Sequence, residues 1–215
     1  MRSMHPGKYI LAWAAVVVLA SARAGSADTA ADVVEQSGVR GGLVVHVGCG
    51  DGKLTAALRR NERYLVHGLD TDAENVRRAR RHIQSIGAGG EVSVDGFDGR
   101  HLPYVRGVVN LLVASDLGKV TMDEVTRVLA PLGVAYIRQG GAWRKTVKPV
   151  PEGSNEWTHF LGDAGGNAVA KDKSIGPPKR LRWVGEPRWC RSHELDISVP
   201  AVVSAEGRLF SVIDL

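Results

Sequence analysis

Leu43 to Val47 is a short apolar run with β-branched residues, and it leads directly into Gly48-Cys49-Gly50-Asp51-Gly52. After that loop Leu54, Ala57 and Leu58 share one face at helical spacing, through Arg60. A buried strand, a tight glycine turn and a helix in that order constrain the chain to an α/β unit with a ligand at the turn. Glycines let the backbone approach a bound molecule closely, and a helix N-terminus offers unpaired N–H groups.

The rest of the first 140 residues repeats this alternation. Ala30, Val33 and Val34 mark a helix from Thr29 to Ser37, closed by Gly38. Tyr64 to Leu69 reads as a second strand ending at Asp70, and Thr71-x-x-Glu74 reads as a capping box. The helix it opens carries a stripe of Val76, Ala79, Ile83 and Ile86, stopped by Gly87. Val92 to Val94 is a weaker third strand, and Val108 to Ala114 is a fourth, interrupted only by Asn110. Thr121-x-x-Glu124 is a second capping box, Pro131 and Gly133 end its helix, and Val134 to Ile137 is a fifth strand. Continuous apolar strands alternating with helices predict a parallel sheet of about five strands covered on both faces. Its ligand belongs at the carboxyl ends of the strands, where Gly48 to Gly52, Asp70, Asp98, Ser115 and Asp116 line up.

Spacing narrows the ligand. A phosphate-binding GxxxxGK[ST] loop fails, because Val47 takes the first glycine position and Leu54 the hydroxyl position. The dinucleotide fingerprint GxGxxG fails at its third glycine, where Lys53 stands. Asp70 still suits the ribose of NAD or of another nucleoside ligand.

The ordered set of motifs resembles the class I S-adenosylmethionine-dependent methyltransferases, a Rossmann-like family. Val44-Val45-His46-Val47-Gly48-Cys49-Gly50-Asp51-Gly52 looks like their first motif and Gly68-Leu69-Asp70 like their second. Gly96-Phe97-Asp98-Gly99, with Leu102-Pro103, looks like the adenine-contacting segment, and Glu124-x-x-Arg127-Val128-Leu129-Ala130-Pro131-Leu132-Gly133 like the helix and turn before the fifth strand. The resemblance implies S-adenosylmethionine as cofactor, with Gly48, Cys49, Gly50 and Gly52 around its methionine portion. It implies Asp70 accepting from both ribose hydroxyls and Asp98 accepting from the adenine amino group, with Gly99 beside it. A helix-start acid is the structural alternative for Asp70, and a polar turn residue for Asp98. The chain departs from the family at His46, where an acid is usual, and at Asn110, where aspartate often begins the fourth strand. His46 reads as a strand residue or a base. No residue is assigned as catalytic, the methyl acceptor is unknown, and Ser115 and Asp116 are acceptor-side candidates.

Both ends carry other signals. Arg2 and Lys8 flank a charged start, Tyr9 to Ala20 is apolar, and Ala22-x-Ala24 is a small-residue cleavage pattern, so residues 1–24 read as a signal peptide. Export to the periplasm or cell envelope follows, with a membrane anchor as the alternative, although the apolar run falls short of the ~20 residues a span needs. The net charge of +5 does not predict a nucleic-acid partner, because Arg77, Arg78, Arg80 and Arg81 gather on one helix as a solvated face. Cys49 and Cys190 lie in different segments, so no disulfide is expected, and no metal-ligand spacing occurs.

Beyond Gln139 the composition shifts to proline and tryptophan without helical period. Residues 25–140 are therefore expected to be the Rossmann-like domain and 141–215 a linker and β-rich tail, with a protease-resistant core ending near Ile137. The tail resembles the entry into pyrroloquinoline-quinone-like β-propellers of bacterial exported proteins. It carries Glu156-Trp157-Thr158-His159-Phe160, Asp163 to Ala170, Gly176-Pro177-Pro178, Leu181-Arg182-Trp183 and a hairpin around Ala205-Glu206-Gly207. A propeller needs several blades to close. The expectation is thus a piece of a longer protein whose further blades pack on this tail, with pyrroloquinoline quinone not assignable here. Two functions compete: a methyltransferase, and a non-catalytic exported scaffold or binding module beside a propeller.

Overall fold

The computed structural model describes residues 29–173, 201–205 and 208–211. The signal-peptide reading, Cys190, and the tail motifs from Gly176 to Trp183 and at Glu206-Gly207 lie outside the described residues.

Helix α1 (Ala30–Ser37) begins at a reciprocal capping box between Thr29 and Asp32 and ends at Gly38. Strand β1 (Gly42–Val47) is followed by the glycine loop and a short α2 (Lys53–Ala57). Then come β2 (Tyr64–Asp70), α3 (Ala73–Ser85), β3 (Val92–Gly96), β4 (Val109–Ala114) and α4 (Met122–Val128). Strands β5 (Leu129–Gln139) and β6 (Ala142–Val147) complete one sheet in the order β3-β2-β1-β4-β5-β6. The first five strands are parallel, and β6 runs antiparallel to β5. The Rossmann-like α/β fold with helices on both faces is as expected. Val33, Val34, Leu58, Val76 and Ile83 pack one face with α1 to α3, while Val125 and Val128 of α4 pack the other with Val45, Val47 and Leu112. Chain order reverses between β1 and β4, which opens the ligand crevice beside the glycine loop.

Four details differ from the sequence reading. The sheet has six strands, because residues 142–147, expected to be linker, pair with β5 from Gln139↔Ala142 to Val134↔Val147. Trp143 stacks on Tyr136, with ring centroids 5.0 Å apart and planes 11° from parallel. The sheet therefore runs past the expected boundary at 140. Helix α3 is capped by Asp72, whose carboxylate accepts from Glu74 N, and not by Thr71. Pro131 and Gly133 do not separate helix from strand, since β5 already begins at Leu129 and carries an irregular register beside Val109. Leu132 in that stretch has φ +62°, a left-handed conformation.

In the tail β7 (Val202–Ala205) and β8 (Arg208–Ser211) form an antiparallel pair. Trp157 lies beside β7: its N–H donates to Ser204 Oγ at 2.9 Å, and its carbonyl accepts from Ser204 N at 2.7 Å.

Candidate functional site at the carboxyl edge of the sheet

The glycine loop hangs on the end of β2. Gly48 N and Cys49 N both donate to Leu69 O, at 2.8 and 3.1 Å, and Gly52 N donates to Cys49 O at 2.9 Å. The glycines differ in what surrounds them. A Cβ built on Gly48 or Gly50 would meet nothing within 4 Å, and both have positive φ. Their backbone faces open space that a ligand can occupy. A Cβ on Gly52 would sit 2.8 Å from Cα and Cβ of Ala79. That glycine is required by the approach of α3, so packing explains it.

Cys49 turns its side chain inward. It is buried, and a Cβ on Gly68 would lie 2.9 Å from its Cβ, so Gly68 makes room for it. Burial, helped by the nearby Asp70 charge, pushes the thiol up to about 12, so it stays protonated. Only its backbone is available to a cofactor.

Asp70 closes the loop from the end of β2. Its Oδ2 accepts from Gly50 N at 2.9 Å, while Oδ1 accepts from Asp72 N at 2.9 Å and from Asn75 Nδ2 at 3.2 Å. Burial works to raise this carboxyl, and the donors from Asp72, Gly50 and Asn75 outweigh it, holding the group below its ordinary range. It is thus an ionised acceptor at only 6% exposure. A carboxylate has about four acceptor positions, and the Thr71 N–H also acts on this one, so at most one remains for an incoming hydroxyl. Asn75 was missed by sequence reasoning; its place one turn into α3, five residues after Asp70, is the signal that points to it.

Asp98 serves the turn that follows β3. Its Oδ1 accepts from Arg100 N and His101 N at 2.8 and 2.7 Å, and its Oδ2 pairs with His101 Nδ1 at 2.8 Å. These contacts, the His101 N–H first, draw the carboxyl down to about 2. Gly99 brings this turn against the loop after β2, since a Cβ there would stand 2.9 Å from Thr71 Cγ2. Phe97 N also donates to Asp70 O at 3.1 Å. Asp70 and Asp98 therefore lie on adjoining loops at one edge. Ser115 and Asp116 are exposed where β4 ends, and Asp116 Oδ1 accepts from Gly118 N at 2.8 Å.

The two departures from the family pattern have structural work. His46 is buried, shares a 2.8 Å hydrogen bond between Nδ1 and Thr55 Oγ1, and so fastens β1 to α2. Burial lowers its pKa to about 4, against the opposing pull of Asp70, so the ring is neutral near pH 7. Asn110 sits at the opposite end of the sheet, where its Oδ1 accepts from Leu43 N at 2.9 Å. Glu124 and Arg127 form a further unit: Glu124 Oε1 accepts from Leu102 N at 2.7 Å, and Arg127 donates to the carbonyls of Tyr104 and Leu102. They pin the segment after Asp98 to α4.

With this geometry in view, the stretch that holds the loop, Asp70, Asp98 and α4 matches the methyltransferase domain family over residues 44–133. Methyltransferase GfsG of Streptomyces halstedii is 32% identical to the chain over 123 residues, covering 53% of this chain and 44% of that protein. The chain thus spans less than half the length of this curated relative. Among solved structures, a putative S-adenosyl-L-methionine-dependent methyltransferase from Methanococcus maripaludis is 20% identical with a TM-score of 0.46, covering 50% of this chain and 52% of that one. A putative sarcosine dimethylglycine methyltransferase from Galdieria sulphuraria is 21% identical with the same TM-score, covering 50% and 44%. Within this stretch, the open backbone at Gly48 and Gly50 and the ionised Asp70 fit a nucleoside ligand. Gly52 and the Cys49 side chain belong to packing.

Proposed function

We propose that this protein transfers a methyl group from S-adenosylmethionine to an acceptor held at the carboxyl edge of the sheet. The observation that carries the reading is the placement of Asp70, ionised and buried, 2.9 Å from the N–H of the open Gly50. When bound, the cofactor supplies an activated methyl group. The chain supplies positioning: Gly48 and Gly50 admit the cofactor to the backbone, Asp70 accepts from its ribose, and the Asp98–Gly99 turn flanks the adenine. Holding the acceptor in line with the methyl carbon accelerates transfer without a strong base. His46 is neutral and tied to Thr55, so it takes no part as a base.

The scaffold alternative still rests on the export reading; against it stand the structural partner of His46 and the strand that β6 adds after the fifth. Calorimetric titration of S-adenosylmethionine into the 215-residue chain tests the reading: one saturable equivalent is expected, and no heat of binding would refute it.

The ends of the chain belong to the same proposal. Residues 1–24 direct export and are removed after Ala24, so mass spectrometry of secreted protein should find Gly25 at the N-terminus, whereas retention of Met1 to Ala24 would favour an anchor. The tail is the entry to a β-propeller of the quinoprotein type, a reading supported by the β7–β8 hairpin and by Trp157 lying beside Ser204. A chain extended with the native downstream sequence should protect the tail from proteolysis.

A further inference from the structure

A cavity of about 750 Å³ lies between the segment after Asp98 and helix α4. Arg100 and Arg106 stand on one wall, and Lys119, Asp123 and Arg127 on the other. Arg127 is spent on Glu124 and on the carbonyls of Tyr104 and Leu102. Arg100, Arg106 and Lys119 are exposed, and their side chains pair with no carboxylate among the described residues. They are unlike Arg77, Arg80 and Arg81 of α3, where Arg77 and Arg81 pair with Glu74, and Arg80 with Asp95. Asp123 is the one acid on these walls outside the Glu124–Arg127 pair.

Like charges gathered in a concave site repel one another and focus a positive potential, an arrangement that a bound anion relieves. The volume falls within the roughly 300–1,000 Å³ of small-molecule sites. Guanidinium groups match phosphate and carboxylate oxygens in a planar, two-bond geometry. The cleft is also held in shape: Arg127 and Glu124 fasten Leu102 and Tyr104 to α4, and Asp98 fixes the backbone of Arg100. We propose that this cleft binds the phosphate or carboxylate group of a small-molecule ligand through Arg100, Arg106 and Lys119. The binding does not depend on methyl transfer.

The test is calorimetric titration of the 215-residue chain with pyrophosphate and, separately, with citrate at low ionic strength. Saturable binding of one equivalent of either probe is expected, the stronger of the two identifying the anion class. Arg106→Gln and Lys119→Gln should each weaken it about tenfold, the scale of one charge-assisted hydrogen bond, with unchanged circular dichroism. Arg60→Gln, an exposed arginine elsewhere, should leave it unaltered. Absence of binding to both probes, equal weakening by Arg60→Gln, or binding of a DNA oligonucleotide but of neither probe would overturn the proposal.

Discussion

Trp143 lies flat against Tyr136, their ring centroids 5.0 Å apart, and this stack joins β6 to the strand beside it. It makes residues 142–147 part of the sheet. Trp143→Ala should therefore destabilise the sheet by about 1–3 kcal/mol in chemical unfolding, through lost aromatic contact and burial. Limited trypsin digestion should spare Arg144 and Lys145 and cut first beyond Val147. Early cleavage at those two residues would return the boundary to 140.

The glycines of the loop should separate by experiment. Gly52→Ala places a methyl 2.8 Å from Ala79 Cα and should cost about 1–3 kcal/mol of stability through overpacking. Gly48→Ala meets no neighbour and should cost only the roughly 1–2 kcal/mol of a left-handed backbone, while obstructing cofactor binding. Comparison of unfolding midpoints with S-adenosylmethionine affinities checks this. A Gly52→Ala protein of unchanged stability would contradict the packing assignment.

His46 predicts a pH dependence with a defined sign. Its pKa falls from 6.5 to about 4 on folding, so the unfolded chain takes up a proton that the folded chain refuses. The stabilisation is complete above pH 6.5 and is lost as pH falls through that window, to a total of about 3 kcal/mol. The stability difference between the parent and His46→Gln, measured from pH 7.5 to 4, isolates this contribution. A difference independent of pH would exclude a buried neutral His46.

Leu132 adopts φ +62° at an exposed, irregular position of β5, while its N–H donates to Lys148 O at 2.9 Å. Glycine or asparagine there keeps the hydrogen bond and removes the strain. Leu132→Gly should raise thermal stability by up to about 1 kcal/mol. A fall in unfolding temperature would mean that the leucine side chain contributes more than its exposure implies.

The parallel sheet was legible because β1, β2 and β4 read as largely apolar runs, with β1 and β4 buried along most of their length. Asp70 was legible because it ends such a run and follows the glycine loop at a fixed interval. Strand β6 was not, because an edge strand of Ala142-Trp143-Arg144-Lys145-Thr146-Val147 is largely exposed and shows little apolar periodicity. The helix cap was misplaced by one residue since Thr71 and Asp72 are both good caps, and the requirement that Asp70 accept from Asp72 N selects the second. Gly52 looked like its neighbours in the loop because its reason for being glycine, Ala79, lies 27 positions away in the sequence. Asp98 could be assigned to a cofactor or to its own turn, and only the three-dimensional position of His101 reveals the second role.

The most direct test of the central claim is the affinity of S-adenosylmethionine for the parent chain and for Asp70→Asn and Asp70→Ala, each confirmed folded by circular dichroism. Both variants should also lose stability, by about 1–3 kcal/mol, because Gly50 N, Asp72 N and Asn75 Nδ2 lose a charged acceptor. Binding to the parent should be saturable, and Asp70→Ala should weaken it by about 1.5–3 kcal/mol, with Asp70→Asn between the two. Equal affinity in all three folded proteins would contradict the assignment of Asp70 to the cofactor's ribose.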